Sequence, residues 1–96
     1  MQKNMLKQCT IRGDHMKAAK VELIKKYGRY CMLCRRKLKS EDCTYHHIIP
    51  KQNGGDCTEQ NGAILCIQCH RIIHIFHYGE EAYMKLTEVL LKNKGA

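Results

Sequence analysis

Four of the seven cysteines in this 96-residue chain form two pairs with the spacing Cys-x-x-Cys. One pair is Cys31 and Cys34, and the other is Cys66 and Cys69. Two such turns supply the four thiolates of a tetrahedral zinc site, where the ion contributes to folding. The sequence therefore predicts a structural Zn²⁺ ion that ties two distant parts of a short chain together.

Other uses of these cysteines fit the sequence less well. The stretch Cys66–His70 matches the C-x-x-C-H pattern of c-type haem attachment, but that chemistry requires export and leaves the first pair without a role. A thioredoxin-like redox pair lacks its βαβ context. A zinc nucleobase deaminase requires H-x-E, whereas residues 46–48 are His-His-Ile. Three further cysteines have roles that stay open: Cys9, Cys43 and Cys57.

Four histidines lie in or just beyond the interval between the cysteine pairs. His46 and His47 are adjacent in a strand-like stretch, so their side chains point to opposite faces. His70 and His74 share one face of a predicted helix. One member of the first pair can bind a metal ion with His70 and His74, while the other stays free to take a proton near neutral pH. A base for water and a cation for the developing charge are what phosphodiester hydrolysis needs.

A strand and a loop are expected to position the first histidine pair. The β-branched and aromatic residues of Thr44–Ile49 predict a strand, and Pro50 ends it. The glycine-rich stretch Lys51–Gly62 predicts a loop. The apolar run Ala63–Cys66 is too short to be assigned to a strand or a helix.

Three helices are expected, of which the middle one carries the second histidine pair. It runs from about Gln68 to Tyr78, between helices at Asp14–Tyr27 and Glu80–Lys92. Gly28 ends the first of these, for which Asp14 is the candidate N-cap. On the middle helix an imidazole face is expected opposite an apolar face that packs on the core. The imidazole face comprises His70, His74 and His77, and the apolar face Ile72, Ile75 and Phe76. The last helix is expected to bury Tyr83, Leu86 and Leu90.

The charge of the chain is unevenly distributed. Lys and Arg number 17 against nine Asp and Glu, a formal net charge of +8. Residues 1–39 carry twelve of the basic residues and two acidic ones, whereas residues 40–96 carry five and seven. A basic half predicts a polyanionic partner, with a lysine-rich solvated face as the alternative. No apolar run approaches the roughly 20 residues of a membrane span, and the polar N-terminus shows no secretory signal. We therefore expect a cytoplasmic protein without membrane contact.

Taken in order, these motifs resemble the HNH endonuclease family. The resemblance runs from Cys31 to about His74 and includes the cysteine pairs, Ile-Ile-Pro, Gly-Gly, an asparagine and the Cys-His start of a helix. It implies an α+β fold, with a small ββα-metal core, a four-cysteine zinc site and flanking N- and C-terminal helices. One domain over 1–96 is expected, comprising a basic arm and helix (1–28), the zinc knuckle with the ββα-metal motif (29–78) and a C-terminal helix (79–96).

The resemblance also implies a role for each site residue. His47 would be the general base, and Asn61 would orient the loop and that base. His46, His70 and His74 would hold one catalytic divalent cation (Mg²⁺, Mn²⁺, Ni²⁺ or Zn²⁺). His46 occupies the position where many members have Asp, which favours transition metals over Mg²⁺. His77 is expected at the rim or surface.

The implied substrate is DNA, cleaved by a single-metal mechanism that leaves 3′-hydroxyl and 5′-phosphate ends. Binding would depend mainly on backbone phosphates. Expected phosphate contacts are Arg35, Arg36, Lys37, Lys39 and Lys51. A dimer or a larger phage or mobile-element assembly is compatible with this activity. The alternatives are a non-catalytic zinc-knuckle module that binds nucleic acid or protein, and a nuclease toxin.

Overall fold

The computed structural model describes residues 14–95, in which three helices surround a two-stranded hairpin. The predicted α+β class is confirmed. The basic arm expected before residue 14 and the candidate cap at the Asp14 side chain lie outside what the structure describes. The elements in chain order are α1 (Asp14–Tyr27), β1 (Thr44–His47), β2 (Gly62–Leu65), α2 (Ile67–Ile73) and α3 (Glu81–Asn93), with single 3-10 turns at Ser40–Asp42 and Lys51–Asn53.

The hairpin of β1 and β2 is antiparallel, with Thr44 opposite Leu65 and His47 opposite Gly62. The strand predicted to reach Ile49 ends two residues earlier, because both backbone groups of Ile49 bond to the side chain of Asn61. The unassigned run after Asn61 is the second strand, and all four of its residues are buried. This buried strand therefore contributes its whole length to the core.

Helix α1 has the predicted bounds and packs against the hairpin. Gly28 ends it with φ +86° and donates its N–H to the Ile24 carbonyl at 2.8 Å. A left-handed residue at this position is the usual reason for glycine after a helix. The three helices and strand β2 contribute fully buried side chains to one core. These are Leu23 from α1, Ile64 and Leu65 from β2, Ile73 from α2 and Leu90 from α3.

Helix α2 is shorter than predicted and buries a different face. It ends at Ile73, and the next residues make tighter turns in which Ile75 N–H bonds to the Ile72 carbonyl. Ile72 and Ile75, expected in the core, are 48% and 70% exposed, whereas Ile73 is fully buried. The prediction was wrong because the histidine side of this helix, which also carries Ile73, faces the hairpin.

Helix α3 lies one residue later than predicted and is anchored to three other segments. It buries Tyr83, Thr87 and Leu90, whereas Leu86 is only partly buried. The Tyr83 hydroxyl donates to the Ile48 carbonyl at 3.0 Å, after β1. The Asn93 amide donates to the Met32 carbonyl at 2.6 Å, inside the first cysteine pair.

Lys94, directly after α3, supplies the third anchor. Its ammonium donates to the carbonyls of Glu59 at 3.0 Å and Gly62 at 2.7 Å. Burial lowers the pKa of this amine. None of the helices between residues 14 and 95 has the length and apolar character that crossing a bilayer requires.

Candidate active site

The two cysteine pairs converge on one point. The sulfur atoms of Cys31, Cys34, Cys66 and Cys69 all lie within 4.8 Å of one another. The first pair lies in a turn between Tyr30 and Lys37, which form an isolated antiparallel bridge. The second pair begins α2. Four sulfurs in this arrangement are the donor set that zinc prefers in structural sites.

Backbone N–H groups stabilise the thiolate form at one of these sulfurs. Burial alone would raise the pKa of Cys31, but N–H donation, including bonds from Leu33 and Cys34, lowers it to about 7. Burial raises the pKa of Cys34 and of Cys69. A metal ion that binds all four thiolates must therefore displace protons from Cys34 and Cys69.

Three histidines form a second cluster about one turn further along α2. The ligand nitrogens of His46, His70 and His74 lie within 4.8 Å of one another. The ring centroid of His46 is 5.3 Å from that of His70 and 5.5 Å from that of His74. His46 is almost fully buried on β1, whereas His74 is exposed at the end of α2. The structure thus brings together the three residues that the sequence proposed as ligands.

The chemistry of this cluster fits a divalent cation. Burial, reinforced by the neighbouring histidines, lowers the pKa of His46 to about 3 and that of His70 to about 4, so both rings are neutral at neutral pH. Nδ1 of His46 is buried and has no hydrogen-bond partner within residues 14–95. Such an atom costs about 1–3 kcal/mol, which coordination to an ion would relieve.

His47 points away from this cluster, as expected for the neighbouring residue of a strand. It is half-buried, and its ring packs edge-on against Tyr45 with centroids 4.9 Å apart. Its Nε2 lies 3.2 Å from Sγ of Cys57, a contact that no sequence pattern indicated. Burial and the nearby Lys51 lower the pKa of His47, an effect partly opposed by Asp56.

Asn61 closes the loop between the strands. Its Oδ1 accepts from the Ile49 N–H at 2.9 Å, and its Nδ2 donates to the Ile49 and Asp56 carbonyls, both at 3.0 Å. Gly55 is required beside it, because a Cβ there would lie 1.6 Å from the Ile49 oxygen and 2.7 Å from Asn61 Nδ2. The amide therefore holds the segment after His47 against the segment before β2.

A cleft of about 610 Å³ opens beside the three-histidine cluster. His47, His70 and His74 all line it, together with aromatic side chains and the segment Pro50–Asn53. His77 lies at its outer edge with a side chain 91% exposed, in agreement with the expected rim position. A ligand in this cleft would contact His47, His70 and His74 at the same time.

The basic residues proposed for DNA contact are spread over several surfaces. Of the five, Lys51 alone lines this cleft. Arg35 donates to Asn93 and Arg36 donates to Gln68, each at 3.1 Å. Lys37 and Lys39 are exposed near the cysteine turn. A ligand that contacts all of them must extend beyond the cleft.

Sequence reasoning missed Tyr83, which it placed only in the core. Its hydroxyl oxygen lies 3.5 Å from Nε2 of His46, so the residue contacts the three-histidine cluster, and it also lines the cleft. The apolar spacing of α3 explains its burial but gives no signal for this polar contact. Of the cysteines outside the two Cys-x-x-Cys pairs, Cys43 is a free buried thiol, and Cys9 lies outside the described residues.

The hairpin, the following helix and the two ligand clusters define a ββα-metal unit, and residues 31–76 match the family model described as HNH endonuclease. The similarity to the HNH endonuclease family covers this part of the chain. Among curated proteins, the uncharacterized protein YisB of Bacillus subtilis (strain 168) is 36% identical over 65 residues. That similarity covers 68% of this chain and 61% of the relative, so the chain spans about three fifths of its length.

Proposed function

We propose that this protein is a metal-dependent DNA endonuclease. Residues 29–78 would form its catalytic unit, with a structural zinc ion held by the four cysteines. One observation carries the proposal: three histidine nitrogens converge beside a cleft that His47 also lines, while His47 itself lies outside the cluster. A metal site and a separate base around one cleft are what hydrolysis of a phosphodiester requires.

The four histidines would have two different roles in the reaction. His46, His70 and His74 would hold one divalent cation, which supplies positive charge for the phosphate and the departing oxygen. His47 would take a proton from the attacking water. Donation from its Nε2 to the Cys57 sulfur, 3.2 Å away, would leave Nδ1 as the accepting nitrogen.

Asn61 and Lys51 would position the loop and the substrate. The three hydrogen bonds of Asn61 keep the backbone after His47 in one conformation. Lys51 would contact a phosphate at the edge of the cleft, and the exposed Lys37 and Lys39 would contact phosphates further along the duplex. Because these contacts are to the backbone, we expect weak sequence selectivity.

The test is nicking of supercoiled plasmid with Mg²⁺, Mn²⁺ or Ni²⁺, comparing the native chain with the His47→Ala variant. We expect the variant to keep both metals and its fold but to cleave about 10²–10⁴ times more slowly, which is the range of a general base. His77→Ala is the matched control, since its ring is almost entirely exposed and pairs with Glu80. This control should cleave at the native rate.

Two outcomes would contradict the proposal. Equal cleavage by the native chain and the His47→Ala variant would remove His47 from the reaction. DNA binding by the native chain without cleavage under any of the three metals would favour a non-catalytic zinc-knuckle module.

A further inference from the structure

Tyr83 lies on α3, outside the segment that matches the family, yet its hydroxyl reaches the three-histidine cluster. The residue is only 3% exposed, so solvent has little access to it. Its oxygen lies 3.0 Å from the carbonyl of Ile48 and 3.5 Å from that of His47. The same oxygen lies 3.5 Å from Nε2 of His46.

The single proton of this hydroxyl determines the direction of each bond. A carbonyl can only accept, so the phenolic proton is donated to Ile48, the nearer of the two carbonyls. The lone pairs of the Tyr83 oxygen are then left for His46. Because that oxygen is an acceptor on this side, Nε2 of His46 is the nitrogen that carries a hydrogen.

The other nitrogen of His46 has the opposite environment. Nδ1 is buried and has no hydrogen-bond partner within the described part of the chain. A metal-bound histidine normally donates its remaining N–H to a protein group. If Nε2 were the ligand, Nδ1 would stay buried without a partner both with and without the ion. Coordination through Nδ1 gives both nitrogens a partner, because Nδ1 then binds the ion and Nε2–H donates to the Tyr83 oxygen.

We propose that Tyr83 is a positioning residue that holds His46 as the Nε2–H tautomer and thereby presents Nδ1 to the metal ion. This inference rests on the proposed function only in taking His46 as a ligand. It extends the metal centre to α3, so the C-terminal helix would be part of the site and not only of the core.

The test uses Tyr83→Phe, which keeps the buried ring and removes the hydroxyl. Proton-detected ¹⁵N spectra of the histidine rings, recorded with zinc in the cysteine site and without a second metal, report the tautomer of His46. We expect Nε2–H in the native chain and a mixture of tautomers in the variant. Calorimetric titration with Ni²⁺ alone should show binding weaker by about 10–100-fold.

The matched control is Thr87→Val, one turn further along the same helix. Thr87 is 5% exposed, and its hydroxyl donates to the Tyr83 backbone carbonyl at 2.9 Å. The Thr87→Val substitution therefore removes a buried hydroxyl but leaves the Tyr83 hydroxyl, the partner of His46, in place. We expect the native tautomer and the native Ni²⁺ affinity, even where the variant is less stable.

An Nδ1–H tautomer in the native chain, or unchanged Ni²⁺ affinity in Tyr83→Phe, would overturn the role of Tyr83. A native chain that takes up no Ni²⁺ would instead contradict the metal centre of the proposed nuclease, and the tautomer would still decide the role of Tyr83. Failure to cut DNA, with the Tyr83 results as expected, would count against the nuclease alone.

Discussion

His46 and His47 show how adjacent residues of one strand can be given different chemistry. The alternation of a strand places His46 in the interior, facing α2, and places His47 toward the cleft beside Cys57. Burial lowers the pKa of both rings, and at His46 the neighbouring His70 and His74 add to this effect. A neutral imidazole in the interior suits a ligand, and a partly exposed one suits a base.

Asn61 leads to a prediction about the loop. Replacing it with alanine removes three hydrogen bonds that join the ends of this loop. At about 0.5–1.5 kcal/mol each, their loss should lower the free energy of unfolding by about 1.5–4.5 kcal/mol and slow cleavage. Urea unfolding followed by circular dichroism measures the first effect. Gln60→Ala, at the exposed neighbouring position, should leave both properties unchanged, and an unaltered unfolding midpoint in Asn61→Ala would refute the prediction.

At the scale of elements, helix α2 and its two caps carry residues of both clusters within nine positions. Cys66 caps its N-terminus by accepting the N–H of Cys69 at 3.3 Å. His70 follows directly, and its N–H bonds to the Cys66 carbonyl at 2.9 Å. We therefore expect a change at the cysteine cluster to reach the histidines through a single helical turn.

This connection predicts that loss of zinc disrupts the histidine cluster. The Cys69→Ser variant removes one sulfur ligand, so we expect it to release zinc readily to a chelator. Apparent binding free energies of structural zinc, about 10–16 kcal/mol, match or exceed the whole stability of a small domain. We therefore expect the variant to lose helical signal and Ni²⁺ binding together.

The control for this experiment is Cys43→Ser, since Cys43 is buried and free but lies outside the cluster. It should retain zinc under the same chelator concentration. The zinc content and the circular dichroism of both variants are measured in parallel. Retention of Ni²⁺ binding in zinc-free Cys69→Ser would show that the two clusters are independent.

The elements also show what could be predicted from the sequence. The bounds of α1 follow from its apolar spacing and Gly28, and the two clusters follow from ligand spacing. The length of α2 could not be predicted, because no pattern at Ile72 or Ile75 indicates the tight turns that end this helix at Ile73. The contact of Tyr83 with His46 joins residues far apart in the chain, and no local pattern encodes it.

For the whole molecule, the distribution of charge matters more than the total. Lys51 lies at the cleft, whereas Lys37 and Lys39 are exposed near the cysteine turn. Arg35 and Arg36 already bond to side chains of α3 and α2. The two exposed lysines are therefore the best residues for testing phosphate contact without disturbing the fold.

The Lys37→Gln/Lys39→Gln double variant should bind duplex DNA more weakly and with less dependence on salt. Each lost phosphate contact reduces the slope of log affinity against log salt by about 0.9. Fluorescence anisotropy at several salt concentrations measures the slope. Lys85→Gln/Lys92→Gln, on the exposed side of α3, changes the net charge equally and should keep the native slope. Equal slopes for the two double variants would exclude a specific contact at the cysteine turn.

The three anchors of α3 have a consequence for any transplant of this site into another scaffold. Tyr83 bonds to Ile48 after β1, Asn93 bonds inside the first cysteine pair, and Lys94 bonds to Glu59 in the loop before β2. A graft of residues 31–76 would carry every proposed ligand but none of these three side chains. The smallest portable unit therefore extends through residue 94, well past the boundary that the family motif marks.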